Sequence, residues 1–268
     1  MNDEKSRSPL KAKALRRPGQ SLLEERDRII GDKLEPWAMM ALFFVVLAAW
    51  EWARYFRPDL SNPWLVSLAA AGIVAFAVWR YVSWWPRLKA LRLGIQGERV
   101  VGEYLERMRE RGFRVYHDVV AEGFNIDHVL VGPSGVYTIE TKTRTKPVRG
   151  DAEVKYDGEK LTVGGFEPDR DAIAQAKGQA RWLARLIADT VERRVSVQPV
   201  VVFPGWYVRE GPGRDAQVWV IEPKRLPFFI ADQPQNRLTK DDIALVGKCI
   251  SIHVRALELE QDRKGLLL

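Results

Sequence analysis

A tight turn, Gly132-Pro133-Ser134-Gly135, stands between two runs that read as strands, and it constrains how this chain can arrange its polar groups. Val129-Leu130-Val131 on one side and Val136-Tyr137-Thr138-Ile139 on the other are β-branched and aromatic, which suits a pleated, half-buried surface. With those four residues as the loop, Val131 faces Val136, and counting outward sets Asp127 opposite Glu140. Side chains alternate faces along a strand, so Glu140 and Lys142 share a face and Asp127 joins them. Opposed residues have Cβ atoms about 5 Å apart, where like charges are destabilising. A divalent cation held by both carboxylates removes that penalty. Taken without Asp127, Glu140 and Lys142 read equally well as a solvated strand face.

Composition excludes several classes. The single cysteine, Cys249, rules out an internal disulfide and clusters built on several thiolates, and it fits a reducing compartment. With only His117, His128 and His253 in the chain, composition argues against a multi-histidine zinc site. A net charge of +7 permits nucleic-acid binding without arguing for it. Glycine-rich phosphate loops and Ser/His/Asp arrangements are absent, so ATP hydrolysis and acyl transfer have no support.

Seven of the ten tryptophans lie between Trp37 and Trp85, a region that also holds two apolar stretches, Trp37–Trp50 and Trp64–Trp79. Extended through Tyr55 and Trp85, each reaches the ~20 residues that span a bilayer. The turn-rich connection Arg57–Pro63 joins them as a helical hairpin, with a buried soluble hairpin as the alternative. Nine Lys and Arg precede residue 37, and Arg80, Arg87, Lys89 and Arg92 flank the second stretch. The positive-inside rule then places both termini and the soluble domain in the cytoplasm of a multi-pass protein of the cell membrane. About 36 mostly polar residues precede the first apolar run, which argues against a cleavable signal peptide.

The domain order follows. Residues 1–36 read as a charged, poorly ordered arm, with an interfacial helix around Ser21–Leu34 capped by Ser21 and Glu24. Residues 37–85 are the transmembrane hairpin, 86–93 a basic connector, 94–255 a soluble domain and 256–268 a polar tail. Within the domain, a helix ends at Gly112 and strands follow near 113–120, 126–131 and 136–142. A small hairpin turns about Tyr156-Asp-Gly-Glu159. A helix over 169–191 carries Ile173, Ala176, Ala180, Leu183 and Ile187 on one stripe. Strands near 195–203 and 217–221 precede a last helix, capped at Leu238 or Thr239 and running toward His253. That order describes an α/β fold of the α+β-like kind, a mixed sheet flanked by helices.

Gly94-Ile-Gln-Gly-Glu98, then Asn125-Ile-Asp-His-Val-Leu-Val-Gly-Pro-Ser-Gly135, then Ile139-Glu-Thr-Lys142 resembles a NERD, or nuclease-related, domain over about residues 90–205. The resemblance implies a restriction-endonuclease-like sheet with a PD-(D/E)xK metal site and Mg²⁺- or Mn²⁺-dependent cleavage of nucleic acid, DNA foremost. It implies Asp127, Glu140 and Glu98 as metal ligands, Lys142 as the catalytic cation, and Gln175 lining the site from a helix with Gln179 one turn on. The Thr141 carbonyl is a further candidate ligand. Each has a plain competitor: Glu98 suits a first helical turn through the helix dipole, and Gln175 suits a solvent-facing position. His128 points away from Asp127 and reads as structural, while His117 and His253 show no partner. Arg144, Lys146 and Arg149 read as a solvated edge or a phosphate-gripping patch. A catalytically silent module binding nucleic acid or protein at the membrane is the alternative function.

Overall fold

Strands β1 (Arg114–Ala121), β2 (Phe124–Gly132) and β3 (Gly135–Thr141) form an antiparallel meander, and Val131 pairs with Val136 as the turn residues predict. Two further strands, β6 (Val197–Val202) and β8 (Trp219–Ile221), add in parallel beyond β3, giving a mixed sheet of order β1-β2-β3-β6-β8. A separate sheet of order β5-β4-β7 holds the expected hairpin β4 (Glu153–Tyr156) and β5 (Leu161–Val163) with the short strand β7 (Tyr207–Val208). The computed structural model describes residues 15–55, 63–146, 152–168, 171–191, 194–209, 216–231, 233–234 and 237–265.

The chain divides into two units. One is Ser21–Ile95; the other is Gln96–Leu268 together with the chain before Ser21, of which residues 15–20 are described. In the first, α1 (Gln20–Ile29) begins one residue outside the division and a π-helical turn at Ile30–Leu34 leads into α2 (Glu35–Tyr55). Helix α3 (Pro63–Glu106) then carries Pro86 in its interior and crosses the division. Two helical stretches here are long and apolar enough to cross a membrane. The 21 residues of α2 are about 32 Å long, close to the hydrocarbon thickness. Leu42, Phe43, Val46, Trp64, Leu68 and Val82 all lie bare on the outside of these helices. Trp37 meets Phe76 edge-on at 4.5 Å between centroids, and the Trp52 indole N–H donates to Ser67 Oγ at 2.9 Å, so α2 and this stretch of α3 lie side by side as a hairpin.

In the second unit, helices cover both faces of the mixed sheet. Val101 and Leu105 of α3 and Met108 of the 3₁₀ turn after it (Arg107–Arg111), with α5 (Leu226–Ala231), pack on Leu130, Tyr137, Ile139, Val200 and Trp219. On the other face, Leu183 and Ile187 of α4 (Ala172–Val191) and Ile243, Val246 and Ile250 of α6 (Lys240–Gly265) pack on Val129, Val131 and Val136. The five apolar residues that define the α4 stripe are all buried, each contributing on the order of 2 kcal/mol where it is large. Thr239 and Asp242 cap α6 reciprocally: Thr239 N–H donates to Asp242 Oδ2 at 2.9 Å and Asp242 N–H to Thr239 Oγ1 at 3.2 Å.

Four expectations need correction. The arm is not uniformly loose: Arg16 is buried in an ion pair, so its charge is satisfied by protein rather than water, while residues 1–14 lie outside the described residues. Ser21 is inside α1, and Gln20 Oε1 accepts the Arg17 N–H at 3.1 Å instead. The connector at Pro86–Leu93 is a continuous part of α3, and residues 256–265 continue α6. Strand β7 and helix α5 are too short to carry a readable period.

Gly132 has room for no side chain, since a Cβ there would overlap the Phe113 ring. Gly132→Ala is expected to cost about 1–3 kcal/mol by overpacking, read as a lower urea midpoint at unchanged slope, and Phe113→Leu in the same chain should recover part of it.

Candidate active site

The β2–β3 register ends its paired residues at His128 opposite Ile139, so Asp127 and Glu140 are next in line on the α4 side of the sheet. Both are buried. Asp127 Oδ2 accepts the Thr141 N–H at 2.7 Å, which ties the first carboxylate to the strand bearing the second. Glu140 is a hub. Its Oε1 accepts from Lys142 Nζ at 2.6 Å and its Oε2 from Gln179 Nε2 at 2.5 Å. Lys142 also donates to Gln175 Oε1 at 2.8 Å, and its own backbone N–H continues the pairing to Val202 O. Gln175 and Gln179 stand one turn apart on α4, the spacing that puts two side chains on one helix face.

Glu98 reaches the same cluster electrostatically. Burial, then the charges of Asp118 and Glu140, push its carboxyl up to about 8, against the Gly19 N–H and Lys142. Burial first, then Glu140 and Glu98, raise Asp127 well above the usual carboxylate range, against the Thr141 N–H and Lys142. The first-turn explanation for Glu98 falls, because Glu98 lies deep inside α3, far from that helix's first turn. Asp127, Glu140, Lys142, Gln175 and Glu98 thus belong to one polar cluster.

Two residues escaped the sequence reading. Asp118 falls opposite Asp127, between the pairs His117 with His128 and Val119 with Ile126, and it adopts a left-handed backbone with φ 49°. Fully buried, it accepts from Arg16 Nε at 2.6 Å and from Asn125 Nδ2 at 2.8 Å. The Asn125 carbonyl in turn accepts from Gln179 Nε2 at 3.0 Å. A hydrogen-bonded chain therefore runs Arg16–Asp118–Asn125–Gln179–Glu140–Lys142–Gln175. The Glu122-Gly123 turn, with Ala121 paired to Phe124, would have located Asp118 by the same outward count. Nothing in the sequence points Arg16 there.

The histidines also differ from expectation. His128 does face away from Asp127 and is fully buried, but His117 has partners: its Nδ1 meets His128 Nδ1 at 2.8 Å and its Nε2 meets Glu106 Oε1 at 2.8 Å. His253 Nε2 meets Val120 O at 3.0 Å. Burial pushes both paired imidazoles down, for His117 against the Glu106 carboxylate. Arg144 and Lys146 are exposed beyond the Lys142 strand end, and Arg149 lies outside the described residues.

The donor chemistry suits a hard divalent cation, which one or two carboxylates plus water and phosphate hold. Two buried oxygens in the cluster, Glu98 Oε2 and Gln179 Oε1, have no hydrogen-bond partner. Among the described residues no three His, Cys, Asp or Glu side chains already form a metal cage. Asp127 and Glu140, with Glu98 behind them, fit an open two-carboxylate site.

On a mixed sheet between helices, a carboxylate pair on adjacent strands shares a face with a lysine. The segment 93–204, which holds this arrangement, matches the family model of NERD, the nuclease-related domain. That span takes in Glu98, Asp127, Glu140, Lys142 and both glutamines. No curated protein and no solved structure matches the chain.

Because Glu98 binds its proton more tightly folded than unfolded, the folded state carries the extra proton from about pH 4.5 to about 8. Stability conferred by that group is present below this window and lost as pH rises through it. Melting temperature followed from pH 5 to 8.5 should fall in wild type and flatten in Glu98→Gln. Separately, Arg16→Met removes one partner of a buried ion pair and is expected to cost roughly 3–5 kcal/mol in urea unfolding; adding Asp118→Asn should return part of that loss.

Proposed function

We propose that this protein is a membrane-anchored, Mg²⁺-dependent nuclease that hydrolyses phosphodiester bonds of nucleic acid. The observation that carries the reading is Glu140, buried beside Asp127 and bonded at once to the site lysine and a helix glutamine. Asp127 and Glu140, with Glu98, would hold Mg²⁺ or Mn²⁺. When bound, such an ion supplies Lewis-acid neutralisation of charge at the phosphoryl group. Gln179 fixes the Glu140 carboxylate so that its rotamer is set before substrate arrives. Gln175 and Glu140 hold Lys142 Nζ at the edge of the cluster, where it can orient an attacking water or donate to a phosphate oxygen as negative charge grows. The Thr141 N–H keeps Asp127 aimed into the same space.

The anchor is α2 with the apolar part of α3. Apolar side chains bare to the outside, at a length that matches the bilayer core, support insertion, and the Lys and Arg flanking them support cytoplasmic termini and a cytoplasmic nuclease-related domain.

One observation favours a second reading. Both Glu140 oxygens accept hydrogen bonds from protein groups, Lys142 and Gln179, an arrangement that also suits a silent module that binds nucleic acid or protein without cutting. The detergent-solubilised full chain, incubated with DNA or RNA and Mg²⁺, separates the two. The nuclease reading expects cleavage that falls about 100- to 1000-fold in Lys142→Ala and vanishes in Asp127→Ala. Wild type cutting no faster than those variants would overturn it and leave the silent module.

A further inference from the structure

The extended segment after β3 has two neighbours. At Lys142 it closes the carboxylate cluster; four residues on, at Lys146, it lines an open cleft of about 640 Å³. Four residues reach at most about 14 Å, so the cleft begins close to the site. The link is fastened: the buried Trp206 donates its indole N–H to Arg144 O at 3.2 Å. Helix α3 supplies a second shared wall, with Glu98 in the cluster and Val100 and Tyr104 in the cleft.

The lining combines exposed cations with aromatic faces. Lys146 and Lys224 are both exposed, and Tyr207 is 63% exposed. The Arg107 guanidinium sits 5.5 Å from the centre of the half-buried Tyr104 ring and adds positive charge at that edge. Among the described residues of the lining the one acid is Glu222, which turns Oε1 to the Val208 N–H at 3.2 Å. Two lysines, an exposed phenol ring and a guanidinium stacked on a second ring suit a ligand that alternates anions with flat π faces. A single-stranded polynucleotide is such a ligand, since its phosphates and unstacked bases are both accessible. A duplex hides its base faces from Tyr207 and gains only the charge.

We propose that this cleft is a binding groove for single-stranded nucleic acid, in which Tyr207 stacks a base while Lys146 and Lys224 hold neighbouring phosphates and lead the strand toward Lys142. It rests on the nuclease reading only for the fate of the strand; binding itself needs no metal.

The test uses the full chain in detergent with EDTA, and fluorescein-labelled oligonucleotides of about twenty residues: deoxythymidine, uridine, and a blunt DNA duplex. Fluorescence anisotropy should show the single strands bound more tightly than the duplex, with the two sugars reporting whether DNA or RNA is preferred. Tyr207→Ala should weaken single-strand binding roughly 5- to 100-fold, while Tyr207→Phe keeps it within about twofold of wild type, because the phenyl ring still stacks. Lys146→Ala/Lys224→Ala should lower the slope of log affinity against log salt by about 1.4, at roughly 0.7 per phosphate contact. Both lysines are exposed, so that variant reports on contacts and not on folding. No single-strand binding, a duplex bound as tightly as the single strand, or affinity and salt slope unchanged in these variants would overturn the groove. Cutting that persists while the groove variants bind normally sinks the groove alone; strand binding without any cutting sinks the nuclease reading alone.

Discussion

Two carboxylates buried on neighbouring strands repel each other, and in this protein that repulsion sits where water can do least to screen it. Asp127 and Glu140 are adjacent because the β2–β3 register leaves them no alternative: a slip of one residue would turn Val129, Val131 and Val136 out of the core that α4 and α6 cover. The apolar side of the sheet therefore holds an electrostatically unfavourable arrangement in place. Lys142 and the Thr141 N–H offset part of the cost, and burial beside like charges pushes the Glu98 and Asp127 carboxyls up. A cation that both carboxylates can grip would offset it in a different way, releasing protons as it binds.

The rest of the second unit serves that arrangement. Helix α4 buries Leu183 and Ile187 on the sheet and, from the neighbouring part of its surface, sends Gln175 and Gln179 to Lys142 and Glu140. One helix thus joins core packing to site geometry. Asp118 extends the polar network a strand further, and Arg16 supplies it with a positive partner from the chain before α1. This makes residues 15–20 part of the nuclease-related unit, although the apolar helices separate them from it in sequence.

What could be read from the residues alone was what short-range rules govern. The turn Gly132-Pro133-Ser134-Gly135 sets a register, and every consequence for Asp127, Glu140 and Lys142 follows from alternation. The α4 stripe was equally readable, because five apolar residues at helical spacing have one plausible use. The unread features depend on distant contacts. Arg16 is one cation among many in a basic arm until Asp118 is seen facing it. His117 looks partnerless until β1 brings it against His128 and Glu106. Pro86 looks like a break between anchor and domain, yet α3 runs through it, and Glu98 loses its first-turn explanation for the same reason.

Titration of the full chain with Mn²⁺ at pH 7.5, followed by electron paramagnetic resonance of the free ion together with proton release, tests most directly whether the fold holds these acids apart from water for the sake of a metal. The account predicts saturable uptake by wild type accompanied by released protons, and loss of that uptake in Asp127→Asn and in Glu140→Gln. Uptake that both variants retain, or none in wild type, would contradict it.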